Sequence, residues 1–182
     1  MGEAPLWVFG YGSLIWEPGF PVAERRRACL DGFARRFCMR SVRHRGTAEA
    51  PGLVLALDAE EGTGCEGLAL RAEPGSEAET LDYLRERELV TRAYLERTLP
   101  LQLDDGREVA AVTYVMDQAH PQYCGHLPLD EQAAIIARAA GGRGPNAEYL
   151  LNTARHLAEL GIRDDEIAAL AARVSATSDN GF

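Results

Sequence analysis

The order of strand-like and helix-like segments along the chain is the feature that most limits its possible folds. Strand-like runs come first, one helix interrupts them, two more strand-like runs follow, and the last third is helical. This order is typical of an α+β protein, whereas regular alternation of strands and helices would indicate a parallel sheet. We therefore predict a small mixed, mostly antiparallel β-barrel with flanking helices, or a strongly twisted sheet flanked in the same way. It is expected to form a single domain over residues 1–182, with a frayed tail at about 175–182.

The bounds of the elements are predicted from periodicity and from turn residues. Strands are expected at 6–9, 29–42, 53–57, 65–71, 94–103 and 108–116, with hairpin turns at 60–64 and 104–106. Helices are expected at about 76–88, 129–140, 146–160 and 164–174, and the N-cap residues are predicted to be Ser76, Asn146 and Asp164.

Charge and cysteine content narrow the class of protein. The formal net charge of −9 argues against general nucleic-acid binding and against docking on an anionic membrane. No run approaches the ~18 apolar residues of a membrane span, and no signal peptide is expected. The four cysteines include no C-x-x-C pair, which indicates reduced thiols in a cytoplasmic protein.

A glycine-rich loop follows the first strand. Its two glycines allow the backbone to approach a ligand closely, and successive N–H groups in such a turn can bind an anion. The dinucleotide-binding pattern fails because Ile15 occupies the third glycine position, and Ser13 lacks the flanking glycines of a hydrolase elbow. A plain strand-to-loop turn stays open as the alternative. The candidate substrate-binding residues are Gly10, Tyr11, Gly12, Ser13, Leu14 and Ile15.

Helical periodicity makes Glu88 the candidate catalytic residue. Ala78, Leu81 and Leu84 are predicted to form an apolar stripe. Glu88 lies four residues beyond Leu84 and continues that stripe. A carboxylate among apolar neighbours is expected to have a raised pKa, which suits proton transfer near neutral pH. The alternative is that the helix ends earlier and that Glu88 pairs with a surface arginine.

Three further segments contain side chains that could bind substrate, act as a base or hold a metal. Tyr149 falls in the first turn of a predicted helix, where its hydroxyl could reach a substrate carboxylate, or it is a core tyrosine. Arg45 is a weaker candidate for holding that carboxylate, and the adjacent His44 could bind an anion, act as a base or lie on the surface. The His and Cys residues of segment 120–126 match no standard zinc spacing, so no metal is expected.

Four collinear segments resemble the ChaC family of gamma-glutamyl cyclotransferases. The matching segments are VFGYGSLIW at 8–16, RHRGT at 43–47, YLRERE at 83–88 and NAEYL at 146–150. The resemblance runs from Trp7 to about Val174. It implies a small β-barrel with flanking helices, and an enzyme that converts reduced glutathione into 5-oxoproline and cysteinylglycine without a metal or an organic cofactor.

The resemblance also implies residue roles. The loop at 11–14 contributes backbone donors to the gamma-glutamyl group, Glu88 is the acid/base, and Tyr149 lines the substrate site. Family members often carry glycine four residues after the glutamate, whereas this chain has Arg92, which is expected to affect rate and substrate preference. Two alternatives stay open, namely action on another gamma-glutamyl amine or dipeptide, and non-catalytic binding of gamma-glutamyl compounds. The sequence does not predict the oligomeric state.

Overall fold

The fold comes from a computed structural model that describes residues 4–90 and 92–179. The strands are β1 (Trp7–Gly10), β2 (Val22–Ser41), β3 (Gly52–Ala72), β4 (Tyr94–Leu103), β5 (Glu108–Met116), β6 (Ala140–Gly141) and β7 (Gly144–Pro145). The helices are α1 (Glu77–Glu88), α2 (Leu129–Arg138), α3 (Asn146–Glu159) and α4 (Asp165–Asp179), and a 3-10 turn spans Ser13–Ile15. Among the described residues, no helix is both long and apolar enough to cross a membrane.

Five strands close into a barrel in the order β1-β3-β2-β4-β5. β1 pairs antiparallel with β3 and parallel with β5, while β4 pairs antiparallel with both β2 and β5. Phe9, Leu70 and Tyr114 are among the fully buried side chains of these strands. The structure therefore confirms the predicted α+β class and the mixed, mostly antiparallel barrel.

The prediction of two short strands at 53–57 and 65–71 is wrong. β3 runs without a break from Gly52 to Ala72, and the expected turn at 60–64 lies inside it. Residues 59–62 are exposed, and Gly62 takes a φ of 84° without ending the strand. A glycine can adopt such a conformation within a strand. The turn-like composition of residues 60–64 therefore did not indicate a turn. The β4–β5 hairpin, in contrast, turns at Gly106 as predicted.

Two of the predicted helix ends can be checked by their capping bonds. Ser76 occupies the N-cap position of α1 as predicted, but its hydroxyl makes no capping bond and instead donates to the carbonyl of Glu73 at 2.7 Å. Asp164 caps α4 as predicted, because its Oδ1 accepts a bond from the N–H of Ile167 at 3.0 Å. α4 continues to Asp179, further than its predicted end, and residues 180–182 lie outside the described part of the chain.

The chain divides into two compact units. The first unit consists of Met1–Arg35 and Leu57–Asp117, and it includes β1, α1, β4 and β5. The second unit consists of Arg36–Ala56 and Gln118–Phe182, and in it α2, α3 and α4 pack against one another. The single domain over 1–182 stays a prediction. The candidate residues are therefore described unit by unit.

Candidate active site

The loop that follows β1, residues 10–15, is called the cradle loop, and it belongs to the first unit. In the part of the chain that the structure describes, the N–H groups of Gly12, Ser13 and Leu14 have no protein acceptor. The N–H of Ile15, in contrast, donates to the carbonyl of Gly12 at 2.9 Å. Gly12 and Leu14 are buried residues, and buried N–H groups are nearly always bonded. Three consecutive donors in a turn can therefore receive an anion or a polarised carbonyl oxygen.

A buried arginine orients the cradle loop. Arg35 is 6% exposed, and its Nε donates to the carbonyl of Tyr11 at 2.7 Å. Because the C=O and N–H of a trans peptide point in opposite directions, this bond turns the N–H of Gly12 away from Arg35. The Tyr11 hydroxyl donates to the carbonyl of Tyr114 at 3.2 Å, which ties the loop to β5. Sequence patterning missed Arg35, since a charged residue within a strand is normally exposed.

The Ser13 hydroxyl is engaged by Arg87 of α1. Nη2 of Arg87 donates to Oγ of Ser13 at 2.9 Å. A serine nucleophile needs a base that accepts its proton, whereas here the hydroxyl oxygen faces a cationic donor. This arrangement supports the interpretation that Ser13 contributes its backbone N–H rather than a nucleophile.

Glu88 is the last residue of α1, and its side chain is 17% exposed. The apolar stripe predicted for this helix is partly wrong, because Ala78 is exposed whereas Thr80 and Leu84 are buried. Glu88 lies four residues beyond Leu84 and therefore continues the face that is buried. Nε of Arg87 lies 3.5 Å from Oε1 of Glu88. A cation at this distance favours the charged carboxylate, against the effect of burial.

A tyrosine and a second carboxylate lie near Glu88. The Tyr114 hydroxyl donates to Oε1 of Glu96 at 2.9 Å, and Arg85 donates to the same carboxylate at 3.0 Å. Burial, with contributions from Glu96 and Glu88, raises the pKa of Tyr114, so its phenol stays protonated near neutral pH. The bond from Arg85 lowers the pKa of Glu96 and keeps it charged. Tyr114 could not be identified from the sequence as a polar neighbour of Glu88, because it lies within the apolar pattern of β5.

In the second unit, Arg45 stacks on Tyr149. Cζ of Arg45 lies 5.4 Å from the ring centroid of Tyr149, and its Nη1 donates to the carbonyl of Pro145 at 3.2 Å. Phe37 packs edge-on against the same ring, with 5.9 Å between the centroids and 87° between the planes. Two of the predicted substrate-binding residues are thus in contact, and Tyr149 is half-buried rather than part of a sealed core.

Asn146 fixes the start of the helix that carries Tyr149. It was predicted as an N-cap, but it is the first helical residue, and its side chain makes no cap bond. Instead its Oδ1 accepts from the N–H of Leu53 at 2.7 Å, and its Nδ2 donates to the carbonyl of Leu53 at 2.8 Å. The amide therefore pairs with β3 as a neighbouring strand would. A Cβ on Gly52 would lie 2.6 Å from Oδ1 of Asn146, so glycine is needed beside this bond pair.

Metal-binding residue types do not converge in the described part of the chain. No group of three His, Cys, Asp or Glu residues there could hold a metal ion. Within segment 120–126, Nε2 of His126 instead lies 2.5 Å from Oε1 of Glu166.

Burial and the surrounding arginines lower the pKa of His44, so this imidazole is neutral near pH 7 and does not provide a permanent positive charge for binding an anion.

Arg92 adopts a left-handed backbone conformation, with a φ of 58°. We expect Arg92→Gly to raise the free energy of unfolding by about 0.5–1 kcal/mol. Relief of the ~1–2 kcal/mol steric cost is partly offset by the ~0.5–1 kcal/mol that glycine loses through its greater freedom when unfolded. Arg92→Ala is the control, because it removes the cation but keeps the Cβ. Urea unfolding measures both, and equal stability of the two variants would contradict this explanation.

Comparison with known proteins gives one consistent result. A family model described as ChaC-like protein matches residues 6–177. A relative from Escherichia coli (strain K12), named glutathione-specific gamma-glutamylcyclotransferase, is 41% identical over 163 residues, which are 90% of this chain and 70% of the relative. The human glutathione-specific gamma-glutamylcyclotransferase 1 is 34% identical over 170 residues, 91% of this chain and 76% of the relative.

A solved structure agrees with these matches. The crystal structure of a yeast gamma-glutamyl cyclotransferase specific to glutathione superposes on this chain with a TM-score of 0.83 and 25% sequence identity. The superposition covers 96% of this chain and 97% of the yeast chain. The similarity therefore extends over the whole fold.

Proposed function

The chain belongs to the ChaC-like family, and from that premise we propose that it is a gamma-glutamylcyclotransferase that cleaves reduced glutathione into 5-oxoproline and cysteinylglycine. The observation that carries this proposal is the cradle loop, whose three consecutive N–H groups have no protein acceptor among the described residues. The names of the E. coli and human relatives support glutathione as the substrate.

The proposed reaction is an internal aminolysis in which one carboxyl group moves one proton. The alpha-amine of the glutamyl unit attacks its own gamma-carbonyl carbon, a C–N bond closes a five-membered ring, and the bond to the cysteine nitrogen breaks. The attacking nitrogen loses a proton and the leaving nitrogen gains one, so water is not consumed. We assign this transfer to Glu88, first as base and then as acid. Its half-buried position beside a protonated tyrosine supports that assignment.

The cradle loop is proposed to stabilise the charge that develops during the attack. Negative charge gathers on the gamma-carbonyl oxygen, and the N–H groups of Gly12, Ser13 and Leu14 are held in place by the bonds of their neighbours before the substrate arrives. Preorganised donors of this kind are each worth about 2.7–4 kcal/mol of the barrier. Gly10 and Ile15 frame the turn, and Tyr11 anchors it through its carbonyl and hydroxyl.

Tyr149 and Arg45 are proposed to hold the alpha-carboxylate of the substrate. The glutamyl chain must fold back so that its nitrogen meets its own carbonyl carbon, which is a positioning task. The stacking of Arg45 on Tyr149 restricts both side chains, so they are pre-ordered for a carboxylate. The assignment rests on the family resemblance and on this contact.

A substrate panel tests the function against the main alternative. Release of cysteinylglycine from reduced glutathione is expected, with a kcat/KM that exceeds that for free gamma-glutamyl amino acids by about tenfold or more, because those compounds lack part of the recognised molecule. Comparable turnover of the smaller compounds would favour a broader cyclotransferase. Tight glutathione binding without product would favour a non-catalytic binder.

We also propose a cytoplasmic location. The four cysteines are present as free thiols, and cytosolic proteins keep their thiols reduced. Cytoplasmic glutathione is mainly in its reduced form, which is the proposed substrate. Fluorescence microscopy of a tagged copy in its native host would check the location.

A further inference from the structure

The guanidinium of Arg87 contacts the cradle loop, the segment that follows this loop and Glu88. Its side chain is 18% exposed, and the groups that it contacts among the described residues belong to the first unit. Its partners are Oγ of Ser13 at 2.9 Å, the carbonyls of Glu17 at 2.6 Å and Pro18 at 3.3 Å, the hydroxyl of Tyr83 at 3.1 Å and the carboxylate of Glu88 at 3.5 Å.

The chain after the cradle loop lies close against the same helix. A Cβ on Gly19 would meet the ring and hydroxyl of Tyr83, and the φ of 78° at Gly19 favours glycine, so the chain can pass close to Tyr83 at this position. Arg87 bonds the same hydroxyl. Segment 13–19 is thus fitted to α1 by shape at Gly19 and by hydrogen bonds at Arg87.

We propose that Arg87 is a positioning residue for the reaction, which fixes the cradle-loop donors relative to Glu88 and keeps the Glu88 carboxylate charged and oriented. This inference rests on the proposed function. The planar guanidinium of arginine has five N–H donors on three nitrogens in a fixed fork, whereas the ammonium of lysine is a compact charge with three donors on one nitrogen. Among the described residues, the titratable groups near Arg87 and Glu88 include Tyr83 of α1, which is bonded to Arg87, and Tyr114 of β5, whose pKa responds to Glu88. Glu96 of β4 is bonded to Tyr114 and to Arg85 of α1.

Three variants separate positioning from simple structural support. Arg87→Met is expected to lower kcat by about 10²-fold, since a displacement of about 1 Å in a reacting constellation costs that much. It should also move the acidic limb of the kcat/KM profile to higher pH, because the cation that favours charged Glu88 is gone. In Arg87→Lys, the acidic limb of the kcat/KM profile should stay at the pH of the wild type, but kcat should still be lower. Arg71→Met is the control, because it removes a comparable ion pair, with Glu24 at 3.3 Å, and should leave both readouts unchanged.

Hydrogen–deuterium exchange gives a readout that does not depend on activity. Amide exchange in segment 13–19 should be faster in Arg87→Met than in the wild type and in Arg71→Met. If the wild type releases no cysteinylglycine, the proposed function fails, and the exchange result still decides whether Arg87 positions the segment. Unchanged exchange in Arg87→Met, or wild-type kcat and pH profile in that variant, would overturn the inference. If Arg87→Met does not fold, a wild-type kcat in Arg87→Lys would likewise overturn the inference.

Discussion

Glu88→Gln is expected to lower kcat for glutathione by about 10²- to 10⁴-fold, the contribution that general acid–base catalysis typically makes. The amide keeps the shape of the side chain but cannot take the proton from the attacking amine. The residue lies at the end of α1 and is 17% exposed, so the fold should persist. Cysteinylglycine release measures the effect, and circular dichroism with the thermal midpoint checks that the variant is folded.

The matched control for this variant is Glu86→Gln. Glu86 lies on the same helix two residues earlier and is exposed, so its amide should leave kcat at the wild-type value. If Glu88→Gln is folded and retains most of its activity, Glu88 is not the proton-transfer group.

Asn146→Ala is expected to lower the free energy of unfolding by about 2–6 kcal/mol. Leu53 is fully buried, and the variant leaves both its N–H and its carbonyl without the bonds that Asn146 provides. Each buried group left unpaired costs about 1–3 kcal/mol. Because Asn146 opens the helix that carries Tyr149, we also expect a higher KM for glutathione if Tyr149 holds the substrate. Denaturant unfolding and steady-state kinetics measure the two effects.

Asn152→Ala provides the comparison on the same helix. Asn152 is half-buried, and the side-chain hydrogen bonds described for α3 do not involve it. Its replacement should change the free energy of unfolding by no more than about 0.5 kcal/mol, as is usual for substitutions away from such features. Equal effects of the two substitutions would show that the bonds to Leu53 are not the source of the stability.

The parts of the candidate site that follow from local pattern could be predicted from the sequence. Glycine spacing identified the cradle loop, and the length of α1 placed Glu88 at its end, where the structure has it. The predicted apolar stripe is only partly right, because Leu84 is buried but Ala78 is not. Helical periodicity identifies a face only approximately, since the neighbouring elements decide which residues of that face are covered.

The parts that could not be predicted depend on contacts between distant positions. Arg35 reaches Tyr11, and Arg87 reaches Ser13, across 24 and 74 positions of the chain. Both arginines resemble ordinary surface charges in the sequence. Asn146 was misjudged for a related reason, because an asparagine at the start of a helix usually caps it, whereas here the bond partner lies on β3.

The length of β3 was missed because its glycines and acids have the composition of a turn. Local composition cannot distinguish a turn from an exposed stretch of strand whose partners lie elsewhere in the barrel. The family resemblance supplied the function, since no single loop or carboxylate defines this reaction.

Identification of the products by mass spectrometry in H₂¹⁸O is the most direct test that this chain cyclises glutathione. The purified protein is incubated with reduced glutathione, and both products are quantified at early times. Internal aminolysis predicts equal amounts of 5-oxoproline and cysteinylglycine, with no ¹⁸O in either. Glutamate labelled with ¹⁸O in place of 5-oxoproline, or glutathione that remains intact, would contradict the proposed function.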